Sequence, residues 1–286
     1  MQKLFTLIIA SAISFSALAD SPVWQITNGN NKLYIGGTMH MLTQQDFPLP
    51  TAFDQAYEQA EILVFETDIG KLQSSEFQQL SMQLLTYQDG TTLRDILKPE
   101  TLQKVEQHLQ SRGMTLDTVI HFKPAFLALM LTVIEFRIMG LSNDGVDQYF
   151  YDRSDDEQKA HLYFETPRQQ LEFLASLGEG QEDHYVLYSL EEINNVQQQL
   201  DSMRNQWRMG QFDSMAKELL IPMQRDFPSV YNNLILSRNN NWIPAIKHML
   251  DTPETEMILV GALHLAGKNG VLQQLKDLGY QLTEVH

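Results

Sequence analysis

Met257 to His264 reads Met-Ile-Leu-Val-Gly-Ala-Leu-His. Its apolar part, Met257 to Val260, is too short for a helix and does not alternate, which fits a strand covered on both faces. Gly261 follows, and His264 comes three residues later. Tyr34-Ile35-Gly36-Gly37-Thr38-Met39-His40 repeats the pattern near the other end of the chain: an apolar run, Gly37, then His40. Two further short runs, Ile62 to Phe65 and Leu162 to Phe164, lead into Phe65-Glu66-Thr67 and Phe164-Glu165-Thr166. Four predicted strands therefore end in a His or a Glu. In an open parallel sheet, the residues just beyond the carboxyl ends of the strands line one crevice. Two imidazoles and two carboxylates are expected to meet there, with Gly37 and Gly261 letting the chain turn and a ligand approach the backbone.

Outward from this frame, Trp24 to Thr27 reads as another strand. It forms a hairpin with Lys32 to Ile35 across Asn28-Gly29-Asn30-Asn31, because Asn-Gly suits a turn that needs positive φ. Tyr280 to Val285 reads as a last strand, after the helix-ending Gly279. The remainder has helical spacing. Pro99 to Ser111, Pro167 to Leu177 and Gln181 to Met209 each carry start or stop signals, and Pro124 to Met139 reads as a buried helix too short to span a bilayer. Asp251-Thr252-Pro253 breaks the chain before the last core strand. These elements give an α/β fold: one domain, a central mostly parallel sheet, and large helical insertions at about 74–157 and 179–250. No Gly/Ser/Pro linker divides it.

The chain has 286 residues, 43% of them hydrophobic, enough for a sizeable core. It has no Cys, which excludes disulfides, Cys-bound metals and thiol catalysis. With 20 Lys and Arg against 36 Asp and Glu, the net charge is −16. No basic patch offsets that field, so a nucleic-acid partner is not expected. The first residues carry Lys3, an apolar stretch from Leu4 to Ile13, and Ala17-Leu18-Ala19, the pattern of a signal peptide over residues 1–19. Export to a periplasm or the medium is the expectation, with no membrane span in the mature chain.

His nitrogen and carboxylate oxygen suit Mn, Co, Zn or Fe(II). The same groups also serve as general acids and bases, and the pattern alone leaves both open. The plainer alternatives are histidines bonded to backbone and glutamates capping the helices that follow them. Thr38 and Thr67 lie beside the candidate groups and fit turn chemistry equally well.

The set resembles the TraB/GumN/Tiki family of metallohydrolases. The matching pieces are GGTMH followed by Asp46-Phe47-Pro48-Leu49-Pro50, the strand ILVFETD, Gly140 to Asp147, FETPRQQLE, Ser237 to Trp242 (SRNNNW), and VGALHLAGKNGVLQQLKDLGY. One departure is Lys123-Pro124-Ala125-Phe126, where the family pattern has Trp after the Pro. The chain is also similar in outline to erythromycin-esterase-like and haem-binding ChaN-like proteins. The Tiki resemblance implies a metal-dependent protease acting on a peptide or protein, with Mn, Co or Zn held by His40, Glu66 and His264. Glu165 would be a further ligand or the acid/base. Arg238 and Asn239 match the family's Arg-Asn pair and would hold a substrate carboxylate or an oxyanion. Asp147 would orient a ligand His or cap the helix it begins. The other relatives leave two alternatives: a binding protein for haem, metal or a peptide signal, and a metal-free esterase with a His base.

Overall fold

The computed structural model describes residues 21–142 and 145–286. The expected signal segment 1–19, and Asn143 and Asp144 of the Gly140–Asp147 stretch, lie outside the described residues. Six strands form one sheet: β1 (Val23–Asn28), β2 (Asn31–Thr38), β3 (Ile62–Phe65), β4 (Ala160–Tyr163), β5 (Glu256–Gly261) and β6 (Gln281–Glu284). Their order across the sheet is β4-β3-β5-β2-β1-β6. The first four of these neighbours are mutually parallel, while β1 is antiparallel to both β2 and β6. β5 lies between β2 and β3, and Glu256 to Val260 are all buried, as an unbroken apolar run requires. The expected hairpin is present: Asn28 pairs with Asn31, and Gly29 takes the positive φ, +61°.

The Gly36-Gly37 pair is a packing requirement. Successive strand residues point to opposite faces, and each of these two glycines meets an aromatic ring. A Cβ on Gly36 would lie 2.7 Å from the Phe53 ring, which comes from the helix Thr51–Gln59. A Cβ on Gly37 would lie 2.7 Å from the Phe212 ring on the opposite face. Trp207, fully buried at the end of the long helix Glu182–Arg208, donates Nε1–H to the Gly37 carbonyl at 2.6 Å. Both faces of the sheet are thus sealed beside the residues that lead to His40.

The helical insertions fall between β3 and β4 and between β4 and β5. Helices Pro99–Ser111, Pro124–Ile138 and Glu182–Arg208 share a second core, built around Val105, Leu109, Leu127, Leu131, Val186 and Leu190. Two sequence expectations need correction. β4 is an edge strand with Leu162 43% exposed, so its apolar run is not covered on both faces. The helix Pro124–Ile138 buries only part of its apolar surface, and Ile138 is exposed. Among the described residues no helix is long and apolar enough to cross a membrane.

The two strand-exit glycines should respond differently to a methyl group. Gly37→Ala forces a carbon against Phe212 and should cost about 1–3 kcal/mol by overpacking. Gly261→Ala meets nothing closer than 3.4 Å and should be near neutral. Urea unfolding checks both: the midpoint should fall in Gly37→Ala and hold in Gly261→Ala, each with an unchanged slope.

Candidate active site

Because β4, β3, β5 and β2 lie side by side and run the same way, their carboxyl ends bring Glu165, Glu66, His264 and His40 to one edge of the sheet. Arg238 enters from the helix Ser237–Met249, just after a π-helical turn at Asn232–Leu236. A π turn rotates the side chains that follow it relative to a regular helix, and such turns recur at functional sites. Arg238 is 7% exposed and is the hub of the cluster. Its Nε and Nη2 donate to Glu165 Oε1 and Oε2 at 2.7 and 2.8 Å. Nη2 also donates to Glu66 Oε2, and Nη1 donates to His264 Nε2 at 3.0 Å. Glu66 Oε1 accepts the Gly261 backbone N–H at 2.7 Å.

The hydrogen bonds fix the tautomer of His264. Asn239 gives its Nδ2 hydrogens to the carbonyls of His264 and Asn269, at 3.1 and 2.9 Å, so its Oδ1 is the atom facing His264 Nδ1 at 2.6 Å. Nδ1 therefore carries the hydrogen, and Nε2 accepts from Arg238. Burial pushes the His264 pKa down to about 3, Glu66 pulls it up, and Arg238 and His40 add to the fall. Burial works against the charge on Glu66. The facing charges of His264, Arg238 and His40 and the Gly261 N–H outweigh it and hold the carboxyl at about 2. A neutral His264 cannot supply its share of that charge. The bond from Arg238 to its Nε2 lone pair decides for neutral His264, so Arg238 carries the main burden of keeping Glu66 ionised.

His40 stands at the mouth of the cluster. Its Nδ1 lies 3.0 Å from Asp147 Oδ2, across 107 residues of sequence. Gly145, Val146 and Asp147 lie against the strand end and make this pair. Val146 N–H donates to the Met39 carbonyl at 3.0 Å, and a Cβ on Gly145 would strike the His40 backbone at 2.4 Å. Asp147 draws the His40 pKa upward. With 61% of its side chain exposed, water screens part of that attraction. The other ring nitrogen, Nε2, lies 3.6 Å from the point a Gly261 Cβ would occupy. Glu66 Oε1 lies 3.4 Å and His264 Cδ2 3.7 Å from that same point. A cavity of about 580 Å³ opens over His40, Glu66, Asp147 and Arg238.

Of the sequence candidates, His40, Glu66, Glu165, Arg238, Asn239, His264, Asp147 and Gly261 are brought together, and Gly37 packs beneath them. Glu165 is buried against Arg238 and Trp242 and does not line the cavity. Neither glutamate caps a helix. Thr166 does so for the helix Pro167–Ala175, in a reciprocal pairing with Gln169, and Ser74 does so for Ser75–Leu85. Trp242, quoted with its motif but given no role from sequence, donates Nε1–H to Glu165 Oε1 at 3.0 Å and packs its ring 4.4 Å from that of His264. Its signal is its position one helical turn after Arg238. Among the described residues no three His, Asp or Glu stand close enough to hold a metal ion as they are.

Asp147 should keep His40 protonated at pH 7. By NMR titration, His40 should lose its proton above the ordinary histidine value of about 6.5. In Asp147→Asn the midpoint should fall by about one unit or more, leaving the ring mostly neutral at pH 7. An unchanged midpoint would contradict the pairing.

The TraB/PrgY/gumN family model matches residues 22–284. The uncharacterized protein YbaP of Escherichia coli (strain K12) is 23% identical over 254 residues, which cover 87% of this chain and 89% of YbaP. No solved structure matches the chain. The matched region carries the whole sheet and every residue of the cluster, and the chain belongs to the TraB/PrgY/gumN family.

Proposed function

We propose that this chain is a hydrolase of peptide or related acyl bonds, working in the cavity at the strand ends with a divalent ion held by His40, Glu66 and His264. The observation that carries this reading is the shared orientation of two imidazoles. Each has Nδ1 engaged by a side-chain oxygen, from Asp147 or Asn239; His40 Nε2 faces the space before Gly261 that Glu66 also faces, and His264 borders that space with Cδ2 and sets its Nε2 3.9 Å from Glu66 Oε1. Oriented histidine ligands are held in this way, and the donor types suit Mn, Co or Zn. The donors fit an ion on two conditions: His40 must release its Nε2 proton to the incoming ion, and Arg238 must give way. Arg238 Nη1 must leave the His264 Nε2 lone pair, and because the guanidinium is planar and rigid this takes a shift of Arg238 together with Glu165, or of the His264 ring. When bound, such an ion lowers the pKa of a coordinated water and polarises a carbonyl.

The chain's own residues supply the rest. Arg238, fixed by Glu165 and by Trp242 through Glu165, presents a buried guanidinium to the negative charge that develops on a carbonyl oxygen. Both Glu165 oxygens are engaged, so its part is to fix Arg238. Asp147 Oδ1 is buried at the cavity without a hydrogen-bond partner and is the carboxylate oxygen placed to take up a proton. Gly261 keeps the central space open. Export of the chain after cleavage near Ala19 is part of the same proposal, with a peptide or protein outside the cytoplasm as substrate.

One observation favours a second reading. The Arg238 guanidinium already sets a positive charge between Glu66 and His264. A metal-free esterase would use that charge directly, with the His40–Asp147 pair as base at the higher pH where His40 has lost its proton.

Metal analysis of untagged residues 20–286, together with a peptide-library digest, separates these readings. Near-stoichiometric Mn, Co or Zn and chelator-sensitive cleavage are expected in wild type. Both should be lost in His40→Ala, His264→Ala and Gly261→Ala, with the fold intact by circular dichroism. Cleavage that survives chelation but not His40→Ala would overturn the metal reading in favour of the second one.

A further inference from the structure

Around the charged cluster much of the cavity lining is apolar. Ile69 and Leu72 come from the segment after β3, Leu129 from the helix Pro124–Ile138, Phe173 and Leu174 from Pro167–Ala175, and Leu234 from the π turn. Every one belongs to the connections and helical insertions, none to the sheet. The apolar surface that Pro124–Ile138 leaves out of the second core therefore has a use, because Leu129 faces this cavity. Among the described residues, the lining beyond His40, Glu66, Asp147 and Arg238 consists of apolar groups, threonines and the amides of Gln73, Gln148 and Gln170. A charged substrate group placed there would lose its hydration and find no counter-charge.

Two unsatisfied hydroxyls share this cavity with the unpaired Asp147 Oδ1. Thr38 and Thr67 are 3% and 4% exposed, and their hydroxyl oxygens are buried with no hydrogen-bond partner. Thr38 pairs in register with Gly261, and Thr67 follows the end of β3 on the other side of β5, so the hydroxyls flank the strand that ends at the central space. Buried polar groups are nearly always bonded, and two orphans in one cavity need a common explanation. Each hydroxyl can both donate and accept, which matches the alternating N–H and C=O of a peptide main chain.

We propose that Thr38 and Thr67 bind the main chain of a peptide substrate and that the wall of Ile69, Leu72, Leu129, Phe173, Leu174 and Leu234 selects a large uncharged apolar side chain beside the bond that is cut. This rests on the hydrolase reading above and names its substrate class. The hydroxyls are specificity determinants for an extended peptide, and the helical insertions are the elements that set the choice.

Methyl NMR of the mature chain, labelled at Ile and Leu, tests binding apart from turnover. The probes are acetyl-Gly-Ala-X-Ala-Gly-amide peptides with Leu, Phe, Lys or Asp at X. Leu and Phe peptides should shift the methyl signals of Ile69, Leu129 and Leu174 and bind about tenfold or more tightly than the Lys and Asp peptides. Thr38→Val and Thr67→Val keep the side-chain shape and remove an unpaired hydroxyl, so thermal stability should hold or rise. Each should still weaken the Leu peptide by about tenfold, which a merely structural hydroxyl would not do. Leu129→Asp, at a half-buried position, should abolish binding of the Leu peptide. Equal binding of charged and apolar peptides, or unchanged binding in both Thr variants, overturns the proposal. The same peptides incubated with Mn and read by mass spectrometry separate the two claims. Selective binding without cleavage keeps this subsite and defeats the hydrolase reading. Equal cleavage of Lys and Leu peptides keeps the hydrolase and defeats the subsite.

Discussion

The cluster depends on one buried guanidinium. Arg238 lies between Glu165 and Glu66 and reaches His264 with its remaining nitrogen. Without it, two carboxylates would face each other in a low-dielectric interior, and one would have to take up a proton or the fold would open. A buried ion network of this kind is a poor source of net stability, because desolvation offsets most of the attraction. What it gives is position. The fork of Arg238 fixes Glu165 and Glu66 relative to each other, and through them ties β4 and β3 to the helix Ser237–Met249. Trp242 closes the arrangement from one turn further along that helix. Its ring stacks on Phe164, with centroids 5.1 Å apart, and lies beside His264.

The sheet supplies the edge on which this network stands. Four adjacent parallel strands end together, so residues from four distant parts of the chain need only short exits to meet. Gly36 and Gly37 let rings from both faces close against β2, while Gly261 leaves its own space empty beside Glu66, His40 and His264. Packing thus explains Gly36 and Gly37, and access explains Gly261. Asp147, at the start of the helix Val146–Asp156, then anchors the exposed end of the site by holding His40. The insertions cover the whole with an apolar wall, which Ile69 and Leu234 join to the core of the sheet.

The strand ends were legible because their chemistry is local. A short apolar run followed by Gly-x-x-His or Phe-Glu-Thr states both the strand and its exit within eight residues. The centre was not legible in the same way. Arg238 lies 26 residues before His264 and 73 after Glu165, on a helix whose π turn leaves no clear mark in sequence, and only the resemblance pointed to it. Pairing of His40 with Asp147 is equally non-local. Thr166 and Gln169 spell a capping box that sequence could have assigned, yet Glu165 beside them drew the alternative reading of a cap. Strand β4 misled for another reason. Leu162 and Tyr163 carry strand propensity into an edge position, where propensity does not report burial.

The central claim is that His40 and His264 present Nε2 to one shared ion, with Arg238 giving way. The most direct test is a zinc titration of the mature chain followed by long-range ¹⁵N NMR of the histidine rings. The account predicts that Nε2 of both residues shifts to the coordinated range at one equivalent. Nδ1 of each should stay protonated, and the Arg238 Nη1 contact to His264 should be lost. Coordination through Nδ1, or no response from either ring while the protein stays folded, would contradict it.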